Sequence, residues 1–293
     1  MAEEGDVLIE LTDIQLKQLA AIYGKLRNQL PHLHSFFHIC LRSKALGMLD
    51  FVHVYSPGGC WQEDGTFIAS MPIHSHDIVF HSLDPSGTNL IEGFRKTKKF
   101  KFLKDPARDY TYLYGVHEMF CSKILQLFTE DLQHEVSYNH AFHLYRLDME
   151  KALQSEFRVP DEVYITALEP QDLPAVVKAW PFSFPAAEQK LQDCLKLSVG
   201  FVVRLKSTDE MVSWVTSSCY VSGQMAALQT AVQHQQKGYA QLAVREFSRY
   251  LANNGFDTCG TVVAGNVPCE RMLEGLGFEK LLKCRFIAIR NKY

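Results

Sequence analysis

The sequence predicts a mixed α/β protein of two domains. Three observations carry that prediction. In both halves of the 293-residue chain, segments that alternate with period two interleave with segments that repeat at three and four. A polar stretch from Gln154 to Pro160 ends in proline and marks a linker. The second half also holds a strand, a glycine loop and a helix in direct succession, from Met225 to Asn253. Residues 1–155 and 160–293 are the expected domains.

In the first half, Leu11, Ile14, Leu16, Leu19, Ile22, Leu26 and Leu30 have helical spacing. His34 to Leu46 reads as a second helix with Gly47 as its stop. Asp50 to Tyr55 alternates and runs into the turn Pro57-Gly58-Gly59. Thr66–Met71 and Asp77–Leu83 read as strands, Asn89–Thr97 and Leu113–Leu132 as helices, and His140–Leu147 as a strand.

In the second half, Glu162–Leu168 is a strand, and Pro170–Ala179 and Ala186–Lys196 are short helices. Val199–Leu205 and Met211–Tyr220 flank the turn Lys206 to Glu210, which predicts a hairpin. The strand Met225–Val232 follows. In the helix Tyr239–Asn253, Ala240, Ala243, Phe247 and Leu251 share one face, and Asn254-Gly255 is its stop. Thr258–Ala264 is a strand, Glu270–Leu276 a short helix and Leu281–Ile289 the last strand. The two halves share a mixture of elements that admits an internal duplication, although no period in the residues establishes one.

Composition narrows the function. The chain is 47% hydrophobic and 22% charged, with a net charge of -3, which offers no bulk attraction to nucleic acid or to an anionic membrane. No apolar run approaches the roughly 18 residues that span a bilayer. The start, MAEEGDVLIELTD, is acidic and lacks a basic region before an apolar core, so an intracellular protein is expected, in cytoplasm or mitochondrion alike. The eight cysteines show no Cys-x-x-Cys spacing and read as reduced thiols.

The loop Gln233 to Ala240 carries the chemistry. Backbone N–H groups at a helix start have no intrahelical partner and sit at the positive end of the dipole. Gly238 lets an anion approach with no Cβ in the way. One strand later, Asn266 ends a strand, where its side chain can hydrogen-bond a ligand amide. Pro268 opens a short helix, and Gly277-Phe278 closes it.

Together these segments resemble the GNAT superfamily of acyl-CoA-dependent N-acyltransferases. Its phosphate loop, Q/R-x-x-G-x-G/A, is matched by Gln235, Gly238 and Ala240. Its later motif is matched by Asn266, Cys269 and Gly277-Phe278. The likeness spans residues 160–290, and within the superfamily it leans to glycine N-acyltransferases through Trp180, Trp214 and the spacing from Gly223 to Gly238. Residues 1–155 would then be a degenerate domain of related fold.

The resemblance implies acyl-CoA or acetyl-CoA as co-substrate, with no metal. The pyrophosphate would take N–H groups from Gln235, Gln236, Lys237, Gly238, Tyr239 and Ala240. The pantetheine amides would pair along Thr230, Ala231 and Val232, with Asn266 and Cys269 near the reacting end. The acceptor would be a small primary amine, such as an amino acid. Two departures stand out. The superfamily's thiolate-protonating Tyr is replaced by Leu273, and the carboxylate that glycine N-acyltransferases place at the start of the central strand is replaced by Gln224. A non-catalytic acyl-CoA-binding protein and a protein N-acetyltransferase are the alternative readings. General base and acid stay unassigned.

Two other patterns read as ordinary surface. Arg95 to Lys104 carries six cations among phenylalanines, a composition that nucleic-acid platforms share, but a solvated helix end with core phenylalanines explains it better. His32, His34 and His38, with His74, His76 and His81, lack the Cys or carboxylate that would complete a metal site.

Overall fold

The computed structural model describes residues 5–45, 47, 52–72, 76–100, 110–181, 183, 187–217 and 224–291. The chain divides into two compact units. The first takes residues 1–27, 40–143 and 282–293, and the second takes residues 28–39 and 144–281. The expected cut at 155–160 therefore falls inside the second unit.

In chain order the elements are β1 (Leu8–Glu10), α1 (Asp13–Gly24), α2 (Pro31–Ala45), β2 (His53–Pro57), α3 (Trp61–Asp64), β3 (Phe67–Pro72), β4 (His76–His81), α4 (Thr88–Lys96), β5 (Thr111–His117), α5 (Glu118–Gln126) and β6 (His134–Leu147). Then come α6 (Met149–Gln154), β7 (Val163–Ala167), α7 (Leu173–Ala179), α8 (Ala187–Leu197), β8 (Phe201–Leu205), β9 (Met211–Ser217), β10 (Gln224–Thr230), α9 (Tyr239–Asn253), β11 (Thr258–Val263), α10 (Val267–Gly275) and β12 (Glu279–Asn291).

This order is one plan used twice. The series β1-α1-α2-β2-β3-β4-α4-β5-α5-β6 recurs as β7-α7-α8-β8-β9-β10-α9-β11-α10-β12. Only α3, inside the β2–β3 connection, and α6, between the copies, are extra. Each copy has one parallel pair, β4 with β5 and β10 with β11. The fold is mixed α/β with two related halves, as the alternation of elements predicts.

In the first unit the strands run β1-β2-β3-β4-β5-β12-β6, so the last strand of the chain lies antiparallel to β5. In the second they run β6-β11-β10-β9-β8-β7. The last strand of each copy thus fills the place that the other copy's own last strand would hold. A linear cut cannot describe that arrangement, and the proline-ended stretch at 155–160 marks only the gap between α6 and β7.

Most elements lie where periodicity places them, and α9 has the predicted bounds. Phe247, Leu251 and Ala243 are buried against the sheet, each large side chain contributing about 1.5–3 kcal/mol. Gly255 closes α9 with a positive φ of 84°, and the N–H of Phe256 reaches back to the Leu251 carbonyl. The single long helix expected over Leu113–Leu132 is wrong. Residues 111–117 form β5, between β4 and β12, and α5 starts only at Glu118 under a cap from the His117 ring. In this short run two strand partners outweighed the helical spacing of Leu113, Val116 and Phe120.

Two apolar layers cover the second unit's sheet. Phe247, Leu251, Val215, Met225 and Leu273 belong to the layer under α9 and α10. Leu173, Val176, Leu191, Val202, Trp214 and Ala227 belong to the layer under α7 and α8. A buried ion pair ties the entry of this unit together. Arg146 Nε donates to Asp257 Oδ2 at 2.9 Å, and the other oxygen of Asp257 accepts the Met149 N–H at 3.0 Å. Arg146 also donates to Asn28 and Asp148. The side chains of Arg146 and Asp257 are 8% and 1% exposed. Removing Asp257 takes away the buried one of the two carboxylates that face Arg146 and leaves the Met149 N–H without its acceptor. Asp257→Ala is expected to cost about 3–5 kcal/mol, read as a lower unfolding midpoint in calorimetry.

Candidate functional site

Among the described residues the parallel pairing of β10 with β11 holds for Gln224 with Cys259 and Met225 with Gly260, and stops after Met225. From Ala226 and Thr261 onward the strands are unpaired on that side. On its other side β10 follows β9, but with a bulge between Ala226 and Gln229. Ala227 sits there at φ 46°, in left-handed backbone. The bulge changes which way side chains point. Met225 lies in the α9 layer and Ala227 in the α7–α8 layer, although residues two apart in a regular strand share a face.

Past the end of β10 the chain makes one turn of 3₁₀ helix over Val232–His234 and enters α9 at Gly238. Gln236 and Gly238 have φ of 63° and 80°, so left-handed residues alternate with ordinary ones and turn successive N–H groups toward one side. Among the described residues, none accepts a hydrogen bond from the backbone N–H of Gln236, Lys237, Gly238, Tyr239 or Ala240. A Cβ on Gly238 would meet nothing within 4 Å, so the concavity is open. Lys237 is exposed in the same loop. These are the features of an anion cradle at a helix start.

The loop is braced from below. Tyr239 is buried and its hydroxyl donates to Glu162 Oε1 at 3.2 Å. Burial, with help from Glu162, raises its phenol above the ordinary value, so its hydroxyl keeps its proton at neutral pH and anchors the helix start. Glu210, in the β8–β9 turn, accepts from Gln233 Nε2 at 3.1 Å and lies 3.5 Å from His234 Nε2. Gln235 Nε2 donates to the Thr230 carbonyl at 3.3 Å.

The remaining sequence candidates divide. The Ala231 N–H donates to the Val212 carbonyl at 2.9 Å, so it is committed to β9 and cannot pair with a ligand chain. Strand alternation then aims the N–H groups of Thr230 and Val232 at the opposite side, where β11 has drawn away. Val232 is 82% exposed. The Asn266 side chain, expected on a ligand amide, instead caps α10 by accepting the Cys269 N–H at 3.4 Å. A strand-end Asn just before a helix with proline in its first turn is also an N-cap, and the Cys269 N–H three residues on is the donor within its reach. Cys269 is half-buried against the α9–α10 core, and burial, then Glu270, pushes its thiol up to about 11. Leu273 is fully buried in that core. Gln224 opens β10, half-buried. The residue that sequence reasoning missed is Ala227, whose bulge has no local signature.

The first unit uses the same plan with a different outcome. Between β4 and α4, Gly87 stands where Gly238 stands, at φ 61°. Here the donors are occupied. The Ser86 N–H donates to Asp84 Oδ1, the Gly87 N–H to the Asp84 carbonyl and the Thr88 N–H to Ser86 Oγ. Hydrogen bonds from Ser86 hold the Asp84 carboxyl below the usual carboxylate range, so it is a resident anion. A Cβ on Gly87 would lie 3.0 Å from the Phe120 ring. Where the β4–β5 pairing stops, His81, His117 and Phe120 pack ring against ring at 5.6–6.3 Å. The first unit therefore has its cradle filled from within.

Arg95 pairs with Asp131 and Glu92, Lys96 with Glu92, and Phe100 is buried, so the basic run up to Phe100 is a solvated helix end; residues 101–104 lie outside the described residues. His34 and His38 lie side by side on one face of α2 with ring centres 4.4 Å apart and planes tilted by 53°, and His74 lies outside the described residues. Among the described residues no group of three or more His, Cys, Asp or Glu is placed to hold a metal ion, and no helix is long and apolar enough to cross a membrane.

Comparisons with known proteins agree with this geometry. The family model described as FR47-like protein matches residues 198–287, and one described as a domain of unknown function, DUF5645, matches residues 7–127. No curated protein gives a match. A Drosophila protein solved by a structural genomics consortium is 19% identical, with 97% of this chain and 99% of that one superposed at a TM-score of 0.86. A GCN5-related N-acetyltransferase-like protein from Streptococcus suis is 12% identical, with 94% and 100% covered at 0.52. A tandem GNAT protein from the clavulanic acid biosynthesis pathway is 10% identical, with 96% and 97% covered at 0.51. The chain has the GNAT fold in its C-terminal half and a tandem plan overall; none of these likenesses singles out glycine N-acyltransferases.

If the open cradle is the anion site, CoA binds at one equivalent per chain. Gly238→Asp, which puts a carboxylate among the five N–H groups, is expected to weaken CoA by tenfold or more, about 1.4 kcal/mol, while the circular dichroism spectrum stays that of the parent. Both are read by calorimetric titration.

Proposed function

We propose that the second unit binds acyl-CoA and transfers its acyl group to a primary amine, with amino acids such as glycine as the acceptor class. The observation that supports this best is the run of five unpartnered N–H groups from Gln236 to Ala240, set just beyond the point where β10 and β11 part. A diphosphate fits that run because it offers anionic acceptors to a helix start that has donors and no cap. The unpaired edge of β10 at Thr230 and Val232 supplies donors for an amide chain, as an added strand would use them. The two requirements of a CoA molecule, a diphosphate and a peptide-like arm, are met in the order and on the side where the strand delivers them.

The chain's residues bind and orient more than they move protons. Gln224 is an amide and accepts no proton at neutral pH. Leu273 has no proton to give, and a thiol at about 11 on Cys269 stays protonated without acting as a base. In the transfer the amine nitrogen forms a bond to the acyl carbon, the C–S bond breaks with its electrons going to sulfur, and the amine proton passes to solvent. Positioning of the two reactants supplies most of the acceleration on this reading. Thiolate is a competent leaving group without an acid because thiols ionise near pH 8.5.

With no base in place, only the unprotonated amine reacts. Turnover is then expected to rise about tenfold per pH unit below the acceptor's own pKa, followed by thiol release with glycine and acetyl-CoA. Gln224→Glu is expected to raise kcat/KM near pH 7 and to flatten that slope. An unchanged profile in the variant would place proton removal elsewhere. A second reading, an acyl-CoA-binding protein without turnover, is favoured by Gln224 and Leu273 themselves. It predicts saturable heat with CoA and acyl-CoA but no thiol release with any amine or peptide, while release with peptides alone would point to a protein acceptor. No heat with any CoA species would overturn the acyl-CoA reading altogether.

A further inference from the structure

The gap between β10 and β11 has an open end and a closed one, and burial marks where it shuts. On β10, Ala226 and the run Leu228 to Thr230 are half-buried, and on β11 so are Thr261 and Val263. In the middle of a sheet with apolar layers on both faces, half-buried strand residues mean that the space between the strands is reached from outside. One pair nearer the strand starts, this reverses. Met225 is 6% exposed, and Gly260 and Cys259 are buried. A Cβ on Gly260 would meet Met225 Cε at 2.7 Å and Met225 Cβ at 3.6 Å, so the methionine side chain turns over the glycine and bridges the two strands. A glycine inside a strand marks a close approach, and here the end of Met225 is what approaches.

The length of the open part can be set against an acyl-CoA. With the Thr230 N–H on the last amide carbonyl of the pantetheine, the acyl carbon stands about two residues' worth of extended chain farther in, ~6.6 Å at ~3.3 Å per residue, level with Leu228. From Leu228 to Met225 the bulged strand also advances by only about two rises, because the steps of β9 from Trp214 to Thr216 face the longer run of β10 from Gln229 to Ala226. Those ~6.6 Å, less the ~3.5–4.0 Å at which carbon atoms touch, leave about 3 Å before the Met225 side chain, room for about two further carbons.

We propose that Met225, lying over Gly260, is the floor of the acyl site and restricts the bound thioester to short acyl groups of about three carbons. The proposal rests on the acyl-CoA reading and specifies its donor substrate: acetyl- or propionyl-CoA, with hexanoyl and longer chains excluded. Met225 touches the acyl end on this account and takes no part in proton transfer. Its unbranched thioether turns about several single bonds, so the stop yields by degrees as the chain lengthens.

The test uses the full chain labelled with ¹³C at the methionine methyl groups. The sequence has eight methionines, and Met225→Leu identifies one of their signals. CoA, propionyl-CoA and hexanoyl-CoA are titrated in turn, by NMR and by calorimetry. The expected result is a saturable shift of the Met225 methyl signal with propionyl-CoA beyond any that CoA produces, and an affinity for hexanoyl-CoA about tenfold below that for propionyl-CoA. Met225→Ala should bring hexanoyl-CoA to within about twofold of propionyl-CoA and leave CoA itself unchanged. Gly260→Ala, whose Cβ displaces the flexible methionine end, should weaken propionyl-CoA about tenfold, again with CoA unchanged, and it asks the same question if the cavity variant does not fold. A Met225 signal that responds to CoA and propionyl-CoA alike, or equal affinity of the parent for propionyl- and hexanoyl-CoA, overturns the proposal. Failure of the underlying reading shows separately, as absence of heat when CoA alone is titrated.

Discussion

The parting of β10 from β11 after Met225 and Gly260 is the constraint from which the candidate site follows. Parallel strands normally continue their ladder as far as both extend, because each unmade backbone bond in a sheet interior must be satisfied elsewhere. Here the ladder ends at Met225 and Gly260, and the β10 bulge is placed immediately after it. The bulge bends β10 toward β9, which keeps its ladder through Thr230, and leaves the β11 side open. At Gly260 a Cβ would meet Met225 Cε at 2.7 Å, so the end of that flexible side chain packs directly on the last paired position. Tight pairing at one end and an unmade ladder at the other produce a wedge whose walls are backbone donors.

The two copies of the plan show what turns that wedge into a site. Both have a parallel pair that stops early, a loop, and a helix that starts on a left-handed glycine. In the first copy, Asp84 supplies an anion from the chain at the helix start. Phe120 and two histidines fill the space between the strands. Stability is gained there and access is lost. In the second copy the loop of Val232 to Lys237 contains no carboxylate at all, and its donors stay open. An open cradle leaves polar groups to water instead of protein, a cost that a bound anion offsets.

The exchange of last strands has a structural counterpart in the buried pair of Arg146 and Asp257. Arg146 lies near the end of β6, Asp257 just before β11, and Met149 at the start of α6. One carboxylate joins all three through two hydrogen bonds, so the strand that borders β11 is fixed where the second unit's sheet begins.

The sequence by itself determined the local chemistry. Spacing placed α9 to the residue, since Phe247, Leu251 and Ala243 recur at the helical period and Asn254-Gly255 can only stop it. Gly238 marked the left-handed entry, and the absence of an ionisable side chain at Gln224 and Leu273 could be read directly. What tertiary structure decided is everything that depends on a partner far along the chain. Residues 111–117 carry helical spacing but became a strand because β4 and β12 flank them. The compact units are not contiguous in sequence because β12, last in the chain, pairs with β5. The Ala231 N–H went to β9 and the Asn266 side chain to its own helix, and neither choice is visible until the competing acceptors are in place. A residue's type and its near neighbours fix its own backbone preference. Which of its hydrogen-bonding groups remain free is fixed only by the strands and helices that fold against it.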